Sequence, residues 1–252
     1  MAVRDLSEEQ QEHVWTHWRI AGRLPIEHPD DASMRVSHEC IYLALYQPKR
    51  KGLKRGLHRR LRSGRQVRNP KQAKTPTGRG QLREITPIHE RPAAVETRQQ
   101  LGHWEGDLVM GRRPSAVATL VERRTRLLRL VKTPQITAGP VRQALAADLH
   151  QLPAQQRLTL TWDRGKEMAE HKALHQLTGT HIYFCDRRSP WQRGTNENTN
   201  RLLRQYLPKK TDLSVHTQKD LDNIADRLNN RPRKILSWKT PAEAYAEATV
   251  VQ

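Results

Sequence analysis

A chain of 252 residues has room for one sizeable hydrophobic core and a smaller attachment, and 5% aromatic residues leave little material for a second large core. Its 45 Lys and Arg against 26 Asp and Glu, a net charge of +19, point to a polyanionic partner. Two well-separated cysteines, Cys40 and Cys185, exclude a disulfide framework or a cysteine-based zinc site, and the lack of any apolar run of about 18 residues argues against a membrane span.

Residues 7–22 are predicted to be helical, with Ser7 and Gln10 as a capping box and Val14, Trp18 and Ala21 on one face. Pro25 to Ser33 is expected to be loop. Ser37 is placed to cap a second short helix through Tyr46, with Ile41, Ala44 and Leu45 on its apolar side. Residues 1–46 thus form a short helical segment with the outline of a helix-turn-helix remnant, a pattern common enough to carry little weight alone.

Residues 47–91 are expected to be a basic linker. Charge is concentrated there: residues 1–48 carry 4 basic and 8 acidic residues, residues 49–91 carry 15 and 2, and the remainder carries 26 and 16. So few large apolar side chains cannot bury enough surface to fold alone. The charge density suits a segment that follows a nucleic-acid backbone, with Arg50, Lys51, Lys54, Arg55, Arg59 and Arg60 as phosphate contacts. An RNA-binding protein would show the same bias, so charge by itself does not choose the polymer.

From residue 92 onward the pattern is that of a folded α/β domain, 92–252. Residues 103–110, 116–122 and 126–132 read as three consecutive strands with short turns. A helix over Thr137–Leu152 follows, with Val141, Leu145 and Leu149 four apart, and then a fourth strand at 157–163. A helix at Glu167–Leu177 is stopped by Gly179 before a fifth strand, His181–Cys185. Two further helices are predicted at Thr195–Tyr206 and Thr217–Asn229. The order β-β-β-α-β-α-β-α-α implies a mixed sheet with helices on its faces.

Three acids stand out against this basic background. Asp107 lies in Gly102-His103-Trp104-Glu105-Gly106-Asp107, Asp163 ends Leu160-Thr161-Trp162-Asp163, and Glu197 follows the loop Ser189-Pro190-Trp191-Gln192-Arg193-Gly194 near a helix start. A carboxylate inside an apolar strand is costly unless it is paired or bound to metal. Glu105 shares the strand face of Asp107, so the strand alone does not decide which of the two is a ligand. Singly, each acid could be a cap, a turn residue or an ion-pair partner. Together, two Asp at strand ends and one acid on a helix form an oxygen-rich set suited to Mg²⁺ or Mn²⁺. Two such ions could serve an in-line phosphoryl displacement.

The segments Gly102–Asp107, Thr159–Glu170, Tyr183–Asp186, Ser189–Tyr206, Thr211–His216 and Leu228–Thr240 resemble the transposases of the insertion-sequence family numbered thirty. These belong to the DDE superfamily, whose catalytic domain has a ribonuclease H-like fold related to retroviral integrases. The likeness is strong over 82–248 and weaker over 20–80, and Ser-Pro-Trp-Gln-Arg-Gly-Thr-Asn-Glu-Asn-Thr-Asn at 189–200 is its most specific motif. The resemblance implies a ribonuclease H-like mixed five-stranded sheet and a catalytic, metal-holding set of Asp107, Asp163 and Glu197. Fifty-five residues separate the first two acids and 33 the last two, the latter being similar to the family's spacing. Arg204, seven residues after Glu197, corresponds to the family's basic residue, and Glu105 is not the principal ligand on this reading. Two motifs depart from the family's pattern, Asp186-Arg187-Arg188-Ser189 and Asn200-Arg201-Leu202, each adding positive charge near the site.

The expected activity is DNA cleavage and strand transfer during transposition, with element ends and target DNA as partners, a homo-oligomer as the assembly and the bacterial cytoplasm as the compartment. Trp191, Gln192 and Arg193 are expected to meet DNA, Trp191 by stacking on an unpaired base. Family members usually begin with longer DNA-binding modules, so the chain reads as one that lacks them. The rival expectations are a non-catalytic, truncated remnant that only binds DNA, and a general nuclease of the same fold.

Overall fold

The computed structural model describes residues 17–38, 40–41, 82, 84–112, 115–187 and 189–250, which belong to two compact units. Most of the predicted first helix, most of the second and most of the basic linker lie outside the described residues.

In the smaller unit, α1 (His17–Glu27) buries Ile20 and Leu24 against Met34 and Ile41. The helix runs through Pro25, where the sequence pointed to a loop. Proline forfeits one N–H in the ladder, yet Leu24 is 1% exposed and the His28 amide still donates to the Leu24 carbonyl at 2.9 Å. Burial of one apolar face outweighs the lost bond. Ser37 acts as the predicted cap, its hydroxyl accepting from the Cys40 amide at 3.2 Å. Residues 231–240 belong to the same unit, and the Trp238 indole lies so close to Gly22 that a side chain there would collide with the ring.

The larger unit is built on one sheet of β1 (His103–Met110), β2 (Ala116–Glu122), β3 (Leu128–Thr133), β4 (Thr159–Trp162) and β5 (His181–Phe184), in the order β3-β2-β1-β4-β5. The first three form an antiparallel meander, while β4 and β5 add in parallel beside β1. Parallel neighbours need long connections, and these carry α3 (Ala138–Leu149) and α4 (His171–Thr178); the short α2 (Ala94–Thr97) precedes β1. This is the expected mixed five-stranded sheet with flanking helices.

Side-chain alternation sorts the sheet's two faces. Trp104, Ala118, Leu120, Leu160 and Trp162 form one core with Val141, Leu145 and Leu149 of α3. Val109, Val117, Val121, Leu128 and Leu130 form the other with Leu202 and Leu203 of α5 (Gly194–Leu203) and with Leu221, Ala225 and Leu228 of α6 (Gln218–Asn229). Glu105 and Asp107 share the strand face of Val109, so both turn toward α5.

Several elements differ in extent from the sequence pattern. The helix predicted from Glu167 begins at His171, because Lys166–Met168 forms a separate 3-10 turn. α5 ends at Leu203, three residues short of the predicted Tyr206, and a 3-10 turn over Pro190–Arg193 leads into it. α7 (Pro241–Val250), absent from the sequence prediction, is alanine-rich and has no distinct apolar stripe; the Tyr245 hydroxyl ties it to Gln156 Oε1 at 2.5 Å. Thr86 and Pro87, from the end of the expected linker, run beside β5: the Phe184 amide donates to the Thr86 carbonyl at 2.9 Å. No described helix is long and apolar enough to cross a membrane.

Candidate active site

Asp107 lies within β1 and Asp163 immediately follows β4. In the β1–β4 ladder Trp104 stands opposite Leu160 and Glu105 opposite Thr161, so the same register two residues further sets Asp107 level with Asp163. Parallel partners point to the same face. The long sequence separation of these two acids is therefore a register relation between neighbouring strands. Gly106 is required between Glu105 and Asp107, because the Trp162 ring lies where a Cβ would be.

The two carboxylates share one cation. Arg193, at the end of the 3-10 turn and only 5% exposed, donates from Nη1 to the Gly106 carbonyl at 2.6 Å. The same Nη1 stands 3.4 Å from Asp107 Oδ1, and Nη2 stands 3.4 Å from Asp163 Oδ2. Asp107 also accepts from the Leu108 amide at 2.9 Å and from Asn200 Nδ2 at 3.0 Å. Burial pushes its pKa up to about 6, with the Asp163 charge adding to the rise and Arg193 opposing it. Asp163 accepts from the Gly165 amide at 2.9 Å.

Glu105 is committed elsewhere. It is fully buried, with Arg123 Nη1 2.5 Å from one carboxylate oxygen and the Asn196 amide donating to the other at 3.0 Å. Asn196 Nδ2 donates to the Glu105 carbonyl at 3.0 Å and to Thr119 Oγ1 at 3.1 Å. Arg123 in turn pairs with Glu96, and Glu96 with Arg91, whose Nη1 donates to Thr161 Oγ1 on β4. The buried bonds of Asn196 to Glu105 and Thr119 lock the first turn of α5 onto β1, while the arginine–Glu96 links run outward to an exposed carboxylate. The ambiguity left by strand alternation is resolved by partners: Glu105 holds the helix, and Asp107 faces the site.

Glu197 sits in that first turn, one residue beyond the anchored Asn196, and is exposed. Asn200 follows three residues later on the same edge of the helix and reaches Asp107. Among the described residues no three His, Cys, Asp or Glu side chains cluster closely enough to hold a metal ion. The structure thus brings Asp107 and Asp163 together but leaves Glu197 facing solvent at the rim. Arg204, at the end of α5, is half-buried and close enough to feel the Asp107 charge; burial lowers its pKa and Asp107 partly offsets that.

Of the residues expected on DNA, Trp191 is 73% exposed at the tip of the loop before α5. Gln192 is turned inward as a clamp on Asp186, donating to Oδ2 at 2.9 Å and accepting from the Asp186 amide at 2.8 Å. Hydrogen bonds from Gln192 and then His89 hold the Asp186 pKa below the usual carboxylate range. Arg193 is buried against the two aspartates. Arg50, Lys51, Lys54, Arg55, Arg59 and Arg60 lie outside the described residues.

Three groups at the site escaped the sequence reading. Asn196 and Asn200 are part of the motif, but amides give no signal until their partners are known. Glu167 accepts from Trp162 Nε1 at 3.1 Å, and burial, with some help from the Asp163 charge, raises its pKa. Its position four residues after Asp163 was the available clue.

No protein-family model matches the chain. It is 49% identical over 234 residues to a transposase for insertion sequence element IS1086 of Cupriavidus metallidurans, covering 92% of this chain and 69% of that protein. Transposase InsI for insertion sequence element IS30A of Escherichia coli is 44% identical over 245 residues, covering 96% of this chain and 64% of the relative, so the chain spans less than two thirds of that protein's length. The catalytic core domain of BIV integrase superposes with a TM-score of 0.46 at 20% identity, covering 60% of this chain and 97% of that one. With relatives this similar across nine-tenths of its length, the chain belongs to the IS30 family of insertion-sequence transposases.

Proposed function

We propose that the protein cleaves DNA at the ends of an insertion sequence and joins the freed 3′-hydroxyl to target DNA, using Mg²⁺ or Mn²⁺ held by Asp107, Asp163 and Glu197. The observation that carries this reading is the alignment of Asp107 and Asp163 on adjacent parallel strands around a single cationic group. Two hard carboxylates, one of them buried enough for its pKa to rise to about 6, share a single guanidinium. The nearby Asn200 Oδ1 is buried with no partner among the described residues. Such a donor set fits a divalent cation, and Glu197 supplies the third carboxylate from the helix edge it shares with Asn200. A pair of bound ions would lower the pKa of an attacking water and stabilise charge on the attacking and leaving oxygens.

The remaining groups position the polymer. Asp107 is oriented by the Leu108 amide and Asn200, and Asp163 by the Gly165 amide. Arg204 is suited to a phosphate next to Asp107, and the exposed Trp191 to stacking on an unpaired base beside the cut. The basic segment containing Arg50 and Arg59 serves as the track for flanking duplex. Bringing two ends and a target together calls for a homo-oligomer.

The test uses labelled duplex carrying the element's terminal repeats, with Mn²⁺, and compares the natural protein with Asp163→Ala and Glu197→Ala. Metal-dependent nicking or joining that both substitutions reduce by at least about a thousandfold is the expected result. Binding with no product in any sample would mark a remnant that only occupies DNA. Degradation without joining would mark a nuclease.

A further inference from the structure

The contacts of Arg193 are unequal in a way that gives it a role of its own. Its Nη1 lies 2.6 Å from the Gly106 carbonyl but 3.4 Å from Asp107, and its Nη2 is 3.4 Å from Asp163. Charge-assisted bonds between guanidinium and carboxylate normally close to about 2.7–2.9 Å. The arginine is therefore anchored on backbone and hangs between the two acids without closing on either. Its side chain is 6% exposed, against 23% for Asp107 and 45% for Asp163, so it approaches them from their buried side and leaves both carboxylates partly open to solvent.

We propose that Arg193 is a positioning residue that substitutes for the divalent cation: it keeps Asp107 and Asp163 side by side when no metal is present and competes with the metal for them. This rests on the metal-holding reading given above. Without a positive charge, two carboxylates on adjacent strands facing the same way would repel and turn apart. Because the main anchor is Gly106, the acids can swing to an incoming ion while Arg193 stays in place. Its residual charge then moderates the affinity of the site, so metal is held weakly enough for the carboxylates to remain a reversible clamp.

The test is Mn²⁺ binding by the full chain without DNA, followed by electron paramagnetic resonance of the free ion and by thermal unfolding. Arg193→Gln removes the charge, and Mn²⁺ binding should tighten by about tenfold, as expected for losing one positive charge a few ångströms from the ion. Its metal-free form should melt lower than the natural protein, and Mn²⁺ should raise its melting temperature by more. Arg193→Lys retains the charge, and its Mn²⁺ affinity should stay within about threefold of the natural protein. Unchanged or weaker binding by Arg193→Gln overturns the role of Arg193, as does a tenfold change in Arg193→Lys should the Gln variant fail to fold. Asp163→Asn separates the two layers. If it binds Mn²⁺ as well as the natural protein does, or if the natural protein binds none, the metal-holding reading itself falls.

Discussion

Single residues on β1 show how closely burial and charge are matched around the site. His103 is 4% exposed, with Nδ1 2.9 Å from Thr159 Oγ1 and Nε2 3.3 Å from Gln100 Oε1. Burial first, then Arg123 and Arg91, hold its pKa down to about 4 against an ordinary 6.5. A histidine depressed in the fold binds its proton more tightly when unfolded. Stability is therefore present above about pH 6.5 and is lost as pH falls toward 4, on the order of 3 kcal/mol in all. Denaturant unfolding at pH 7 and pH 4.5 should show this loss in the natural protein and a visibly smaller one in His103→Gln. Equal losses in both would remove His103 as the cause. Asn196 gives a second residue-scale prediction. Asn196→Ala leaves Glu105 without one donor and Thr119 without its amide partner, and should cost roughly 2–3 kcal/mol in unfolding free energy.

At the scale of elements, α6 does more than bury its apolar stripe. β3 is an edge strand, and such edges invite pairing with other chains. Asn229 closes this one by mimicking a strand, its Oδ1 accepting from the Leu128 amide at 2.8 Å and its Nδ2 donating to the Leu128 carbonyl at 2.9 Å. Gln218 does the same one turn of pleat further on, with the Lys132 amide at 2.9 Å and the Leu130 carbonyl at 2.7 Å. Asn229→Ala should destabilise the protein by about 2 kcal/mol and promote concentration-dependent association, read by unfolding and by light scattering. Gln218→Ala, with one of its bonds exposed, should cost less. Thr217 and Asp220 form the capping box of α6, and Thr217→Ala should cost about 1 kcal/mol.

For the molecule as a whole, the net charge of +19 sets how it would meet the DNA proposed as its partner. Each phosphate neutralised releases counterions, so the logarithm of affinity should fall steeply and linearly with the logarithm of salt concentration. Replacing Arg50, Lys51, Lys54, Arg55, Arg59 and Arg60 together by Gln should lower that slope by about 4–5. An unchanged slope would mean that the basic segment does not lie on the backbone.

Local pattern alone determined most of the elements of the larger unit: apolar runs set off by short turns marked β1 and β2, four-residue spacing marked α3 and α6, and Gly179 and Thr217 marked helix ends. It also singled out Asp107, Asp163 and Glu197, because acids bordering apolar runs are conspicuous in a basic chain. α7 was silent since an alanine-rich helix has no apolar face to read, and α1 ran past Pro25 because burial of Leu24 overrode a local propensity. Strand alternation left Glu105 and Asp107 equivalent, and only the tertiary structure shows what each of them contacts. Arg123 and Asn196 arrive from other elements to occupy Glu105, and the parallel register of β1 with β4 sets Asp163 beside Asp107. The same holds for Arg193, a charged residue in a loop that reads as solvent-facing until the fold turns it inward. Partners far apart in the chain supply the electrostatics of such groups, and no local sequence pattern contains them.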